Sequence, residues 1–216
     1  MRRNPFPDPF QLKIDLFDRW APWYDTVIPS VFYRAIHQRL LASIQLPPAA
    51  KVLDLGCGTG QLLNRLAGVY PDLQGFGLDL SPEMIRQARR KILHRPRLIF
   101  VQGRSDRIPF AAAEFDAVFC TISFLHYPDP LAVLREVRRV LKPQGRFYLA
   151  DFAVAPSGFG FRTVRSLAGG VKFYNESERD RLGQQAGLVV SHAYLLGPVL
   201  LSIFTKPHQD ATERVT

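Results

Sequence analysis

The sequence predicts an α/β domain: a doubly wound, mostly parallel seven-stranded sheet with helices on both faces and a C-terminal antiparallel strand pair. Three observations predict it. Short apolar runs alternate with helix-period stretches between residues 51 and 152, an order that requires parallel strands covered by helices. One of these strands ends in Gly56-Cys57-Gly58-Thr59-Gly60 and runs straight into a helix. Near the end, Gly197-Pro198 joins two apolar runs by a link short enough for an antiparallel reversal.

The elements follow in order. Residues 1–9, with Pro5, Pro7 and Pro9, read as extended chain. Residues 10–46 carry helical spacing in pieces: Ile14, Leu16, Phe17 and Trp20, then Val31, Phe32, Ala35, Ile36, Leu40 and Leu41. Pro22 and Pro29 divide them into at least two helices. Strands are expected at 51–55, 74–80, 98–102, 115–121 and 146–152, with helices at 61–69, 82–93 and 130–141. Lys142-Pro143-Gln144-Gly145 ends the last of these helices. The stretch 154–172 is glycine-rich and has neither period. Asn175-Glu176-Ser177-Glu178 opens a further helix that Gly187 ends, and strands at 188–196 and 199–205 complete the sheet. Right-handed crossovers make such a sheet doubly wound.

Composition narrows the class. At 216 residues the chain fits one domain with a full core. The share of AVILMFWYC is 47% and that of DEKR 22%, which separates it from disordered chains. No apolar run is long enough to span a bilayer, and nothing apolar follows Arg2-Arg3 as a secretory signal would need. Cys57 and Cys120 form neither a disulfide framework nor a zinc spacing, so the expectation is a cytoplasmic protein. The five histidines are scattered singly, and no metal site is expected. Much of the net charge of +9 comes from Arg86, Arg89, Arg90, Lys91, Arg95 and Arg97. This run reads as a solvated outer helix. It has no interleaved aromatics to stack bases, so nucleic acid is not the expected partner. A peripheral contact with an anionic membrane is compatible with the charge but has no other feature behind it.

The glycine turn carries the chemistry. Glycines let a ligand approach the backbone closely. A dinucleotide site would need a third glycine at position 61, which is Gln61. Asp54, two residues before Gly56, would repel a pyrophosphate and suits a cationic ligand. Asp79 ends the second strand, 23 residues after Gly56, where an acid accepts from both hydroxyls of a ribose.

These residues resemble the class I S-adenosylmethionine-dependent methyltransferases, a Rossmann-like family, and more narrowly its small-molecule branch with the quinone-biosynthesis C-methyltransferases. Val52-Leu53-Asp54-Leu55-Gly56-Cys57-Gly58-Thr59-Gly60 is similar to that family's first motif and Gly77-Leu78-Asp79-Leu80-Ser81-Pro82-Glu83-Met84 to its second. Ile108-Pro109-Phe110 with Phe115-Asp116-Ala117-Val118 is similar to the third and fourth, and 134–145 to the helix and turn before strand five.

The resemblance implies S-adenosylmethionine as cofactor. Asp54 and the turn at Gly56, Cys57 and Gly58 would hold its methionine part, Asp79 its ribose, with Leu80 and Met84 flanking the adenine and Thr121 at the end of strand four. The family's usual acid after strand three is missing, because Gly103 is followed by Arg104, Ser105 and Asp106. Arginine has no acceptor, which leaves Asp106 or the Ser105 backbone for the adenine. The family's opening motif matches residues 17–25, in which Tyr24 would close over the cofactor. The chain then divides into a helical lid at 1–48, a cofactor-binding core at 49–153, a flexible acceptor-side segment at 154–175 and a C-terminal helix and strand pair at 176–206.

The acceptor is expected at the carboxyl ends of the strands, near Thr121, Ser123, His126 and Tyr127. His126 is the candidate catalytic base, since imidazole titrates near neutrality. The aromatics Phe10, Phe17, Trp20, Trp23, Phe32 and Tyr33 suit a small flat or hydrophobic acceptor. Two alternatives stand beside this reading. One is methylation of nucleic acid or protein, although Thr121-Ile122-Ser123-Phe124 replaces the Asn/Asp-Pro-Pro-aromatic motif of base amino-methylation. The other is a non-catalytic cofactor-binding protein of the same fold.

Overall fold

The computed structural model describes residues 9–21, 27–153, 163–164 and 170–208. Two helices come first, α1 (Pro9–Trp20) and α2 (Val27–Ser43). The alternating core follows: β1 (Lys51–Leu55), α3 (Gln61–Val69), β2 (Gln74–Asp79), α4 (Pro82–Lys91), β3 (Leu98–Gln102) and β4 (Phe115–Thr121). A one-turn 3-10 helix at Phe124–His126 leads to α5 (Pro130–Val140) and β5 (Leu141–Phe152). The short strands β6 (Thr163–Val164) and β7 (Val171–Lys172) pair with each other, and α6 (Glu176–Gln185), β8 (Val189–Leu196) and β9 (Val199–Thr205) complete the chain.

The sheet has the order β3-β2-β1-β4-β5-β9-β8. β1 to β5 are parallel, and β9 inserts antiparallel between β5 and β8. Side chains alternate between two buried faces, as the pleat requires. Val52, Phe119 and Tyr148 face one layer with Leu62, Leu66 and Ile85, while Leu53, Val118 and Leu149 face the other with Leu134 and Val137. Burial on both sides explains why the strands read as nearly continuous apolar runs. β5 begins at Leu141, earlier than the expected 146, because Leu141 pairs with Phe115 before a register shift at Ala117. Helix α4 stops at Lys91 and β2 at Asp79, each short of its expected end.

The N-terminal helices are more than a cover. Ile36 and Leu40 of α2 are fully buried in the core layer that includes Leu62 and Leu66. The basic run is exposed along α4, as expected, but half of it also braces the fold. Arg97 donates to the carbonyls of Ala67, Tyr70 and Leu73 at the end of α3, Arg89 donates to Phe100 O, and Arg86 pairs with Glu83. Cations at carbonyl-rich helix ends are stabilising there. No helix among the described residues is long and apolar enough to cross a membrane.

One buried cation ties the C-terminal elements together. Arg179 of α6 is 1% exposed and donates to five acceptors: the carbonyls of Tyr174, Asp151, Phe152 and Leu200, and Ser202 Oγ. Beside it, the Asp151 carboxylate accepts from the Leu125 and Phe152 N–H groups, which fixes the 3-10 turn after β4. Arg179→Met keeps the apolar stem and strands those acceptors. It is expected to destabilise the fold by about 3–5 kcal/mol, and a urea melt showing a loss below about 1 kcal/mol would contradict this role.

Candidate active site

Strand order reverses between β1 and β4, so their carboxyl ends open a crevice. The turn after β1 enters it under tight constraint. Gly56 sits at φ +66°, and a Cβ there would collide with Ser123 Oγ. The turn is tied to β2: Gly56 N and Cys57 N both donate to Leu78 O, at 2.8 and 3.1 Å. Gly58 N donates to Asp79 Oδ2 at 2.9 Å, and Gly60 N to Cys57 O. A pyrophosphate needs backbone N–H donors, and those of Gly56, Cys57, Gly58 and Gly60 are already in use. The carboxyl groups of Asp79 and Asp54 border the cavities beside the turn instead, which suits a donor or a cation.

Two cavities share Gly56. The inner one is bordered by Asp54, Cys57, Thr121, Tyr33, His37 and Arg65. Asp54 is 2% exposed, and its Oδ1 is buried without a hydrogen-bond partner. Burial, with the charge of Asp79 nearby, pushes its carboxyl well above the usual carboxylate range. An orphaned acid of this kind awaits a cationic donor. Across the same cavity Arg65 donates to His37 Nδ1 at 2.9 Å, and His37 Nε2 stands 3.4 Å from Thr121 Oγ1. Burial and the Arg65 charge depress the His37 pKa to about 3, so its imidazole is neutral. An acid and a guanidinium lining one small cavity match the two ends of a zwitterionic amino acid.

The outer cavity brings together Gly58, Asp79, Leu80, Met84, Arg104 and Ser105 on one side. Asp79 is doubly employed, Oδ1 accepting from Ser81 N and Oδ2 from Gly58 N, each at 2.9 Å, and it lines the cavity. Of the two expected adenine contacts, Ser105 lines the cavity and Asp106 does not. The Asp106 carboxylate is held by Arg104 at 2.6 and 2.9 Å, and the Arg104 guanidinium lies 3.5 Å over the Phe10 ring. Tyr24 lies outside the described residues.

The opposite wall of the outer cavity is formed by α1 and the segment after β4. Phe10, Lys13 and Phe17 recur at helical spacing on one face of α1 and line it with Ile122, His126 and Pro128. Phe17 and His126 meet edge to face at 5.0 Å. The expectation that His126 titrates near neutrality needs correction: burial and the Lys13 charge lower its pKa to about 4. Tyr127 is also unsuited to proton transfer, because burial pushes its phenol well up and Ser123 Oγ lies 3.1 Å from its hydroxyl. Lys13, His37 and Arg65 were not singled out from the sequence. The spacing of Phe10, Lys13 and Phe17 was a readable signal for the first. The other two converge only through the packing of α2 on α3.

The donor set fits a nucleoside joined to a cationic, amino-acid-bearing group, on a doubly wound α/β sheet. That defines a cofactor-binding enzyme of the nucleoside-using α/β class. A methyltransferase-domain family model matches residues 52–145. The ubiquinone/menaquinone biosynthesis C-methyltransferase of Syntrophotalea carbinolica is 30% identical over 83% of this chain and 75% of its own length. The ubiquinone biosynthesis O-methyltransferase of Xanthomonas axonopodis pv. citri is 34% identical over 71% of this chain and 66% of its own. Among solved structures, a putative methyltransferase of Haloferax volcanii, in complex with the Trm112 methyltransferase activator, superposes with a TM-score of 0.75 at 25% identity. That match covers 89% of this chain and 98% of that one. The chain belongs to the class I S-adenosylmethionine-dependent methyltransferases, and S-adenosylmethionine is its cofactor.

Two substitutions test the site. The folded pKa of Asp54 lies above its unfolded value, so its contribution to stability is full below the unfolded pKa and is lost as pH rises through the folded one. Asp54→Asn removes that cost. In the ligand-free protein at neutral pH it is expected to raise Tm, while S-adenosylhomocysteine affinity falls by about tenfold to a hundredfold. Calorimetry showing affinity unchanged would remove Asp54 from the site. Asp79→Ala deletes the acceptor of the Gly58 and Ser81 N–H groups as well as the carboxylate that lines the outer cavity. Affinity for S-adenosylhomocysteine should fall by about 2–4 kcal/mol, and Tm should fall with it.

Proposed function

We propose that the acceptor of this methyltransferase is a small aromatic or otherwise hydrophobic molecule that binds beside α1. The observation that carries this reading is the apolar wall of the Asp79 cavity, lined by Phe10, Phe17, Ile122 and Pro128 together with His126, whose ring Phe17 meets edge to face. The names of the two relatives, for C- and O-methylation in quinone biosynthesis, support it. Of the basic run, Arg89 and Arg97 are engaged with carbonyls and Arg86 with Glu83, which argues against a nucleic-acid acceptor. Buried free thiols at Cys57 and Cys120 fit a cytoplasmic setting.

S-adenosylmethionine supplies a methyl group on a cationic sulfur. Within this reading Asp54 receives its ammonium, Arg65 its carboxylate and Asp79 its ribose hydroxyls, with Cys57 and Thr121 bordering the methionine part. Leu80 and Met84 pack against the adenine, and the Ser105 backbone supplies its polar contact. Positioning and water exclusion then account for most of the acceleration. His126 is neutral above about pH 4 and is too weak a base to hold a proton taken from an ordinary hydroxyl. Its role is to position the acceptor.

The test is turnover on a panel of quinols and phenols, with duplex DNA as the contrasting acceptor. Quinols or phenols are expected to be methylated and DNA not. Methylation of DNA alone would overturn the reading. For His126→Gln, which keeps a polar group in the cavity, turnover should stay within about tenfold of wild type. The profiles of kcat/KM against pH should run parallel for the two proteins between about pH 5 and 8. An inflection near 6.5 present only in the wild type would restore His126 as a base.

A further inference from the structure

Of the two buried cations among the described residues, Arg179 has five acceptors and the Asp151 carboxylate beside it, which leaves Lys13. It is 5% exposed, and its hydrogen bond among the described residues goes to a neutral group, Gly170 O, at 3.2 Å. The ammonium therefore has no described counter-ion, and burial lowers its pKa from the ordinary lysine value. A buried cation in this state is costly unless an anion joins it.

Its position indicates which anion. Lys13 stands between Phe10 and Phe17 on the cavity face of α1, and it also borders a second hollow on the far side of His126. That hollow is walled by Leu125, Pro130, Val171, Lys172 and Tyr174. No carboxylate lines it among the described residues, whereas a second ammonium, that of Lys172, lies 4.8 Å over the Tyr174 ring. Among the described residues, the acids of α1 are engaged elsewhere, Asp15 with Gln11 and Asp18 with Ser81 Oγ. Asp79 faces the outer cavity from the cofactor side, Arg104 is paired with Asp106, and His126 is neutral. The Tyr174 phenol is pushed up to about 12 by burial and by Glu178, Asp129 and Asp151, so it stays protonated.

We propose that Lys13 is the acceptor-binding residue of this enzyme and selects an acceptor that binds as an oxyanion, its charged oxygen against the Lys13 ammonium and its apolar body between Phe10, Phe17 and the His126 edge. The inference rests on the methyltransferase reading and assigns its acceptor a charge state. An acceptor with an acidic hydroxyl loses its proton to solvent water as it binds, the O–H bond breaking and the electron pair remaining on oxygen. The ammonium supplies the driving force that a weakly basic His126 does not. Methylation on that oxygen removes the charge Lys13 holds, which weakens the grip on the product.

The test uses the full chain and 4-nitrophenol, whose neutral and ionised forms absorb at different wavelengths, with 4-nitroanisole as the uncharged control. In the wild type and in Lys13→Arg, bound nitrophenol should ionise at a proton concentration about tenfold higher, or more, than in buffer. In Lys13→Met the displacement should vanish, while binding of 4-nitroanisole changes by less than about twofold. Binding of S-adenosylhomocysteine, measured by calorimetry on each variant, reports that the fold is intact, and Lys13→Gln serves if Lys13→Met does not bind it. A wild type that binds S-adenosylhomocysteine but leaves nitrophenol titrating as in buffer overturns the proposal, as does an undiminished displacement in Lys13→Met. A wild type that binds no S-adenosylhomocysteine overturns the underlying cofactor reading instead.

Discussion

The bond between the glycine turn and β2 governs the rest of the site. Leu78 O takes the N–H groups of both Gly56 and Cys57, and the Asp79 carboxylate takes that of Gly58. Through these bonds the turn spends its donors on the neighbouring strand before any ligand arrives. The ligand then meets oxygen atoms, with Asp54 buried among them. A phosphate at the turn would find the N–H groups of Gly56, Cys57 and Gly58 already taken, whereas an ammonium finds the Asp54 carboxyl. The same α/β scaffold that elsewhere grips pyrophosphate through its turn N–H groups is here adapted to a cation.

This arrangement carries a standing cost in the empty protein. Burial and the neighbouring Asp79 raise the Asp54 carboxyl, and burial raises Asp79 itself against the Gly58 and Ser81 N–H bonds that oppose it. Two acids close together in a half-dry crevice are tolerated because the sheet around them is well buried on both faces. Lys13 represents the same principle on the acceptor side with the opposite sign. A charge left without a described partner inside a packed wall is a local conflict that ligand binding resolves, and such conflicts concentrate at functional sites.

The path from fold to acceptor wall runs through Arg179 and Asp151. Arg179 gathers carbonyls from β5 and β9, and Asp151 at the end of β5 holds the Leu125 N–H. The turn that presents His126 is thereby fastened to the sheet. On the other side α1 meets α4, with Asp18 accepting from Ser81 Oγ at the start of that helix. The cavity thus lies between a wall fixed by the core and a wall that belongs to the N-terminal helix.

By itself the sequence determined the order of strands and helices, the antiparallel pair at Gly197-Pro198, and the place of Asp54, Gly56, Gly58 and Asp79. These depend on period, on turn chemistry and on short spacings, all of which are local. It also determined that the turn was no dinucleotide site, through Gln61 and Asp54. Only the tertiary structure decided how the remaining residues share their hydrogen bonds. Asp106 is taken up by Arg104, and His126 is depressed by burial and by a lysine more than a hundred positions away in sequence. Arg65 and His37 meet at Asp54 because α2 packs on α3. The physical reason is that a side chain's charge state and free valences depend on what is buried beside it, and that neighbourhood is set by chain crossings that no local pattern encodes.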